Sequence, residues 1–487
     1  MQVKRHSIAK NTGWLSGVNL LIKPLSFVFI IISTRLLGAE DFGKFAFAVS
    51  IVSFINVFFE GGINIHTVRS ISAEKQIYTE NFYLHLVLKV AGGLLTGIIA
   101  FLFLIFTHYE NTIVYLTLIA ISFITFNVLL IHLRTYFRAF EIMKYEGYSI
   151  AVEKIGLIII CGAALLIHRS VILFTVFYAF TYFLTFLYTL VLLFKVLGKP
   201  KFQFHISRIY SDVIAPASPF AIMNILIVGR SRAGTVLLKI ITHKDNWVGY
   251  YNASYRLLNS FLLFPNMITT PLMPVIVRIQ NRFITVRRLL NSSYRYILGI
   301  SALISFPIFL LSGPITILLF GSSFKPAAPV LRIISLNMIP AALILLMGML
   351  VASLGRQKAV NKLFIFETIS TILFHIIFIY LYSYVGAAVA SIIGDIIYLS
   401  INIWVVRDYI RGSGLITLTL RTLLILPALI LIENMPFYPA SKFIDFVLII
   451  LITFTSLFVL QVIRMNEIRN LRKVIHDMFH ERFKHKY

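Results

Sequence analysis

Apolar residues fall in blocks of about 20 or more along this chain, separated by short polar stretches rich in Arg and Lys, from Trp14 to Leu37 through Phe443 to Ile463. A helix rising 1.5 Å per residue needs about 20 such residues to cross a hydrocarbon core roughly 30 Å thick. Blocks near 12–37, 42–65, 82–106, 112–133, 150–167, 171–194 and 213–238 predict the first half of a set of spans. Blocks near 247–275, 296–319, 331–354, 363–382, 386–406, 415–432 and 443–463 predict the rest, the thirteenth being short and interrupted by Pro427. The expected fold is all-α: a polytopic membrane protein of about fourteen transmembrane helices.

Composition agrees with this pattern. Of the 487 residues, 59% are apolar and 13% charged, against about 25% charged in soluble domains. The net charge of +25 does not point to nucleic acid, because the cations are scattered through short loops instead of gathering on one face. With a cytoplasmic N-terminus, about 28 Lys and Arg fall in inner loops and tails and about 5 outside, and an even number of spans returns the C-terminus to the cytoplasm. The apolar stretch after Lys4, Arg5 and Lys10 is too long for a signal peptide and lacks a small-residue cleavage site, so it reads as a retained first span. Cys161, the single cysteine, allows neither an intramolecular disulfide nor a cysteine-based zinc cluster.

An internal echo divides the chain. Phe42-Gly43-Lys44-Phe45 follows the first span and Val248-Gly249-Tyr250-Tyr251 follows the seventh, both reading apolar, Gly, any residue, aromatic. Six spans separate them, as in a duplicated transporter of two pseudo-symmetric six-helix lobes with two further C-terminal helices. The expected boundaries are 1–198 and 199–411 for the lobes, 412–463 for the extra spans and 464–487 for a basic tail. Pro24 in the first span, and Pro216 and Pro219 in the seventh, place matched proline-bearing helices at the start of each lobe. In the tail, Ile468, Leu471, Ile475, Met478 and Phe479 recur at helical spacing amid Arg469, Arg472 and Lys473, which suits a helix lying on an anionic bilayer surface or, less simply, docking a partner.

The candidate chemistry lies in charges inside apolar blocks. Lys23, Lys89, Arg230, Arg232 and Arg256 each fall where a lipid-facing cation costs roughly 2.5–3.5 kcal/mol or more. Counting along the helices puts the three arginines in the outer half, Lys23 near the middle and Lys89 deeper. Such a ladder suits an anion crossing in steps, because Arg grips a phosphate in a bidentate fork and Lys acts as a point charge. The bland alternative is snorkelling to the nearer interface, easiest for Arg256. Arg230 and Arg232 point about 200° apart on a regular helix, so they do not share one cavity. Among acids, Asp395 lies deep in the twelfth span, while Glu60 and Glu367 lie near inner helix ends and Glu153 adjoins Lys154. Asp395 and Glu60 are candidates for ion coupling, with a salt bridge or backbone hydrogen bond as the structural alternative. His375, alone in mid-span, reads as a packed, hydrogen-bonded histidine, and no metal or other cofactor is expected. No phosphate-binding loop, nucleophile elbow or HExxH helix is present, so transport energy would come from a gradient.

The stretch Asn11-Thr12-Gly13-Trp14, followed by Thr34-Arg35-Leu36-Leu37-Gly38-Ala39-Glu40-Asp41-Phe42-Gly43, resembles the opening of the bacterial polysaccharide flippases. These belong to the multidrug/oligosaccharidyl-lipid/polysaccharide (MOP) exporter superfamily. Val248-Gly249-Tyr250-Tyr251-Asn252-Ala253, Leu319-Phe320-Gly321, Leu354-Gly355-Arg356-Gln357-Lys358 and Gly386-Ala387-Ala388 extend the likeness from about residue 8 to 410. The resemblance implies lobes around a central cavity, alternating access and an undecaprenyl-pyrophosphate-linked oligosaccharide, such as an O-antigen repeat, as cargo. It implies an inner-membrane location in the bilayer and neighbours such as a polysaccharide polymerase and other assembly proteins. Arg35, in the matched opening, marks the exit or the interface. Three rivals remain. A drug exporter of the same superfamily should line its cavity with acids, whereas buried cations outnumber acids here. A membrane glycosyltransferase or polymerase should carry a substantial outer loop, and none is expected. A scaffold without transport should tolerate Arg230→Ala.

Overall fold

The computed structural model describes residues 8–75, 77–200, 210–433 and 442–462. Among the described residues the chain is helical throughout, with no strand. It forms two compact units: Met1–Ala253 with Leu319–Phe324 and Ile379–Tyr384, and Ser254–Leu318 with Lys325–Phe378 and Val385–Tyr487.

The first unit begins with α1 (Ile8–Glu60), which folds in two at Gly38, where φ is 80° and ψ 174°. Only glycine adopts that conformation without strain, and it falls where the apolar pattern breaks between the first two expected spans. Gly61 and Gly62, at φ 62° and 67°, end α1 and set off α2 (Ile63–Ala73). The second expected span therefore stops five residues short of its sequence boundary at 65. There follow α3 (Ile77–Thr107), α4 (Asn111–Ala139), α5 (Met143–Gly156), α6 (Gly162–Ile167), α7 (Val171–Leu197) and α8 (Ala215–Thr242). A π-helical turn, Leu157–Cys161, joins α5 to α6 within the fifth expected span. The central element is α4, which packs on α7, α1 and α3. On α7, Thr181, Thr185 and Thr189 each return their hydroxyl to the carbonyl four residues back, which keeps that buried stripe narrow and satisfied. Tyr78, Phe82, Tyr136 and Phe137 form a buried aromatic core at one end.

The unit closes on the start of α9 (Asp245–Phe261), where the echoed motifs meet. A Cβ on Gly43 would lie 2.7 Å from the carbonyl carbon of Asp245, and one on Gly249 2.9 Å from that of Ala39. Each glycine thus admits the backbone of the segment that carries the other. Ion pairs flank the crossing: Lys239 with Asp245 at 2.7 Å, and Lys44 with Glu40 at 3.0 Å and Glu110 at 2.7 Å.

The second unit holds α10 (Leu263–Ile279), α11 (Phe283–Leu310), most of α12 (Ser312–Phe320), α13 (Ala328–Ser353), most of α14 (Gln357–Val405), α15 (Arg407–Ile410), α16 (Leu415–Leu423), α17 (Ile425–Glu433) and α18 (Lys442–Val459). Its core is α13 against α11 and α10. Ser383, at φ 56° and ψ −133°, breaks α14 into two antiparallel arms. The pairings converge on that turn: Arg356 with Asp408, the tilted rings of Phe364 and Tyr398 with centres 5.0 Å apart, His375 beside Ser391 at 3.3 Å. The break between α16 and α17 follows from Pro427, whose ring displaces the carbonyl of Leu423 and offers it no N–H.

Ten helices among the described residues are long and apolar enough to cross a membrane, and α16–α17 and α18 add shorter apolar segments. Two of the ten, α1 and α14, are the ones folded in two. The count of fourteen stays an expectation of the sequence. The tail beyond 462, with its amphipathic pattern, lies outside the described residues.

Candidate functional site

Deep in the first unit a chain of polar side chains links α1, α2, α3 and α4. Asn64 donates its amide to Glu60 Oε1 at 3.0 Å, and its Oδ1 lies 3.0 Å from His132 Nδ1. An amide oxygen only accepts, so His132 carries its proton on Nδ1, and its Nε2 accepts from the Tyr136 hydroxyl at 3.0 Å. That hydroxyl oxygen is 3.4 Å from His85 Nδ1, whose proton it then receives. His85 is left with a bare Nε2, and one turn further along α3 stands the Lys89 ammonium. Both atoms are buried and neither has a hydrogen-bond partner among the described residues. Lys89 is 3% exposed, and Glu60 is the carboxylate whose field reaches it. A donor-only cation and a vacant acceptor one helical turn apart form a polar lining that invites a third group or water.

The structure thus brings two of the sequence candidates, Lys89 and Glu60, into one chain. Arg230 and Arg232 are half-buried on α8, and both are engaged by other groups. Their neighbour Gly229 faces the ring of Phe54, six residues before Glu60 along α1, or about 9 Å of helix rise. Arg256, half-buried on α9, belongs to the second unit. Lys23 lies on α1, with its side chain outside the described residues. Arg35 is exposed, and its stem lines the space above Gly321, so two segments of the matched motifs adjoin. Asp395 is buried in the second unit and accepts from Asn337 Nδ2 at 2.7 Å. His375 is hydrogen-bonded to the Thr371 carbonyl at 2.8 Å and to Ser391.

Sequence reasoning passed over His85, His132, Asn64 and Arg134. Arg134 forms a buried pair with Glu153 at 2.7 Å and donates to Ser149 Oγ at 2.9 Å and to its carbonyl at 3.0 Å. Glu153 also takes a contact from its sequence neighbour Lys154, at 2.5 Å, and one from Tyr182 at 3.2 Å. The one available signal was Arg134 standing next to an apolar run without an acidic neighbour in sequence.

A bundle of apolar helices with charged groups buried inside it defines a multi-pass membrane protein. A family model described as polysaccharide biosynthesis protein matches residues 8–280, and the chain belongs to that family. An uncharacterized membrane protein of Methanocaldococcus jannaschii is 23% identical over 416 residues, covering 80% of this chain and 95% of that protein. Among solved structures, the lipid II flippase MurJ in an inward closed conformation is similar with a TM-score of 0.74 at 17% identity, covering 92% of this chain and 97% of the other. A multidrug resistance MATE family transporter of the MOP superfamily, inward-facing, gives a TM-score of 0.64 at 13% identity, covering 82% and 99%. The fold is that of the MOP exporters.

Proposed function

We propose that this chain is a flippase that carries an undecaprenyl-pyrophosphate-linked oligosaccharide from the cytoplasmic to the periplasmic leaflet by alternating access, drawing on an ion gradient. The observation that carries the reading is Lys89: an ammonium buried in a helix bundle without a bonded counter-ion among the described residues, in a member of a polysaccharide biosynthesis family. Keeping a charge there is costly unless an anion visits it, and a pyrophosphate supplies both the charge and the acceptor oxygens. The fold's likeness to a flippase supports a lipid as cargo. In this reading Arg230, rather than Arg232 on the opposite face of α8, extends the path outward, and the hydrogen-bonded chain from Glu60 to His85 exchanges the coupling proton. The oligosaccharide then passes to polymerase and assembly proteins at the outer face.

The test is translocation in proteoliposomes loaded with a pyrophosphate-linked oligosaccharide. Wild type is expected to move it, and Lys89→Ala to slow it by about tenfold or more, the loss of one charge-assisted contact in the transition state. Glu60→Gln should slow transport under an imposed pH gradient while leaving passive exchange unchanged. Wild type that exports cationic dyes and ignores the glycan lipid would reassign the chain as a drug antiporter.

A further inference from the structure

The second unit holds a basic groove at the open end of the two α14 arms. Arg356, Lys358, Trp404, Arg407 and Asp408 surround it over an apolar wall of Ala359 and Val405, with a volume of about 580 Å³. Arg356 is committed: it donates bidentately to Asp408 at 2.6 and 2.7 Å and to the Val405 carbonyl at 3.0 Å, clamping the two arms together. These bonds hold the Asp408 carboxyl below the ordinary carboxylate range, so the clamp persists as pH falls through that range and opens only beneath it. Lys358 and Arg407 are both exposed and carry no ion pair among the described residues, and the Arg407 guanidinium stands 5.3 Å from the ring centre of Trp404. The floor is neutral and rigid while the rim keeps two uncommitted positive charges.

The surroundings say what kind of anion fits. Trp404 is 55% exposed at the end of an apolar helix, the position an indole takes at the headgroup level of a bilayer. From Lys358, one face of α14 continues through exposed Lys362 to Phe366, Ile369 and Leu373, all more than half exposed. At spacings of three and four these form a single stripe, two cations leading into apolar surface that faces lipid. The loops at this end are the Arg- and Lys-rich ones that mark the cytoplasmic side, where anionic headgroups are concentrated.

We propose that this groove binds the phosphate of a membrane lipid, held by Lys358 and Arg407 with Trp404 against the glycerol region and the hydrocarbon chain along the stripe from Phe366 to Leu373. The same phosphate chemistry is offered by an anionic phospholipid, by a polyprenyl phosphate and by free inorganic phosphate, and the experiment separates them. The full chain in neutral nanodiscs is titrated with phosphatidylglycerol or phosphatidylcholine brominated near the glycerol, and the quenching absent from Trp404→Phe is taken as the signal from the groove. The phosphatidylglycerol form is expected to quench at lower mole fraction than the phosphatidylcholine form, with Lys358→Ala and Arg407→Ala each weakening it by about fivefold. Displacement by polyprenyl phosphate at equimolar amounts would assign the site to the isoprenoid lipid; no displacement would assign it to phospholipid. Equal quenching by both lipids, or quenching unchanged in the two alanine variants, would overturn the proposal, as would displacement by inorganic phosphate alone. Neither substitution touches the Arg356–Asp408 clamp, and the binding readout is independent of whether the chain transports.

Discussion

Gly249→Ala is expected to destabilise the protein by about 3 kcal/mol or more, seen as a lower melting temperature and loss of monodisperse material in detergent. The added methyl would meet the Ala39 carbonyl, and backbone of a packed helix has no rotamer by which to yield. Gly43→Ala should behave alike, for the same reason at Asp245. Gly313→Ala is the control: it lies within α12 with nothing near its Cβ direction, so the better helix propensity of alanine should leave stability equal or slightly higher. A Gly249→Ala protein that melts like wild type would show that the two helices do not approach so closely.

The second large effect is expected at Arg134. Replacing it by Met leaves Glu153 as a carboxylate in a site where its side chain is 4% exposed, with Lys154 and Tyr182 as remaining partners. Removing one member of such a pair costs about 3–5 kcal/mol, because the other charge keeps its desolvation penalty. The double variant Arg134→Met with Glu153→Met should recover most of that loss, since it removes both charges from the interior. Thermal unfolding of the two single variants and the double gives the coupling directly; additive losses would mean the pair is not coupled.

The fold was legible wherever one physical requirement dominated. Apolar blocks announced helices because bilayer crossing demands length, and the interruptions at Gly38, Pro427 and the stretch around Ser383 became a kink, a break and a hairpin turn. The echo around Gly43 and Gly249 was visible as a pattern, yet not as a contact, since nothing in either segment says it touches the other. Lys89 could be singled out because burying an ammonium is expensive on its own account. His85, His132 and Asn64 could not, because a single polar residue on an apolar helix is ordinary and the chain they form joins α2 to α4 across a separation of 68 residues. Asp395 stood out as costly, but its partner Asn337 lies 58 positions away on α13. Arg134 looked like one more inner-loop cation until the fold set Glu153 against it.

The meeting of the two glycines also constrains how such a chain can drift. Most packing contacts can be renegotiated, a larger residue on one side being offset by a smaller one on the other. Here each partner is main chain, which no codon alters, so no compensating exchange exists for either position. Gly43 and Gly249 are therefore held fixed independently, and a comparison of diverged descendants would find two silent columns at this crossing where a side-chain contact would leave a correlated pair.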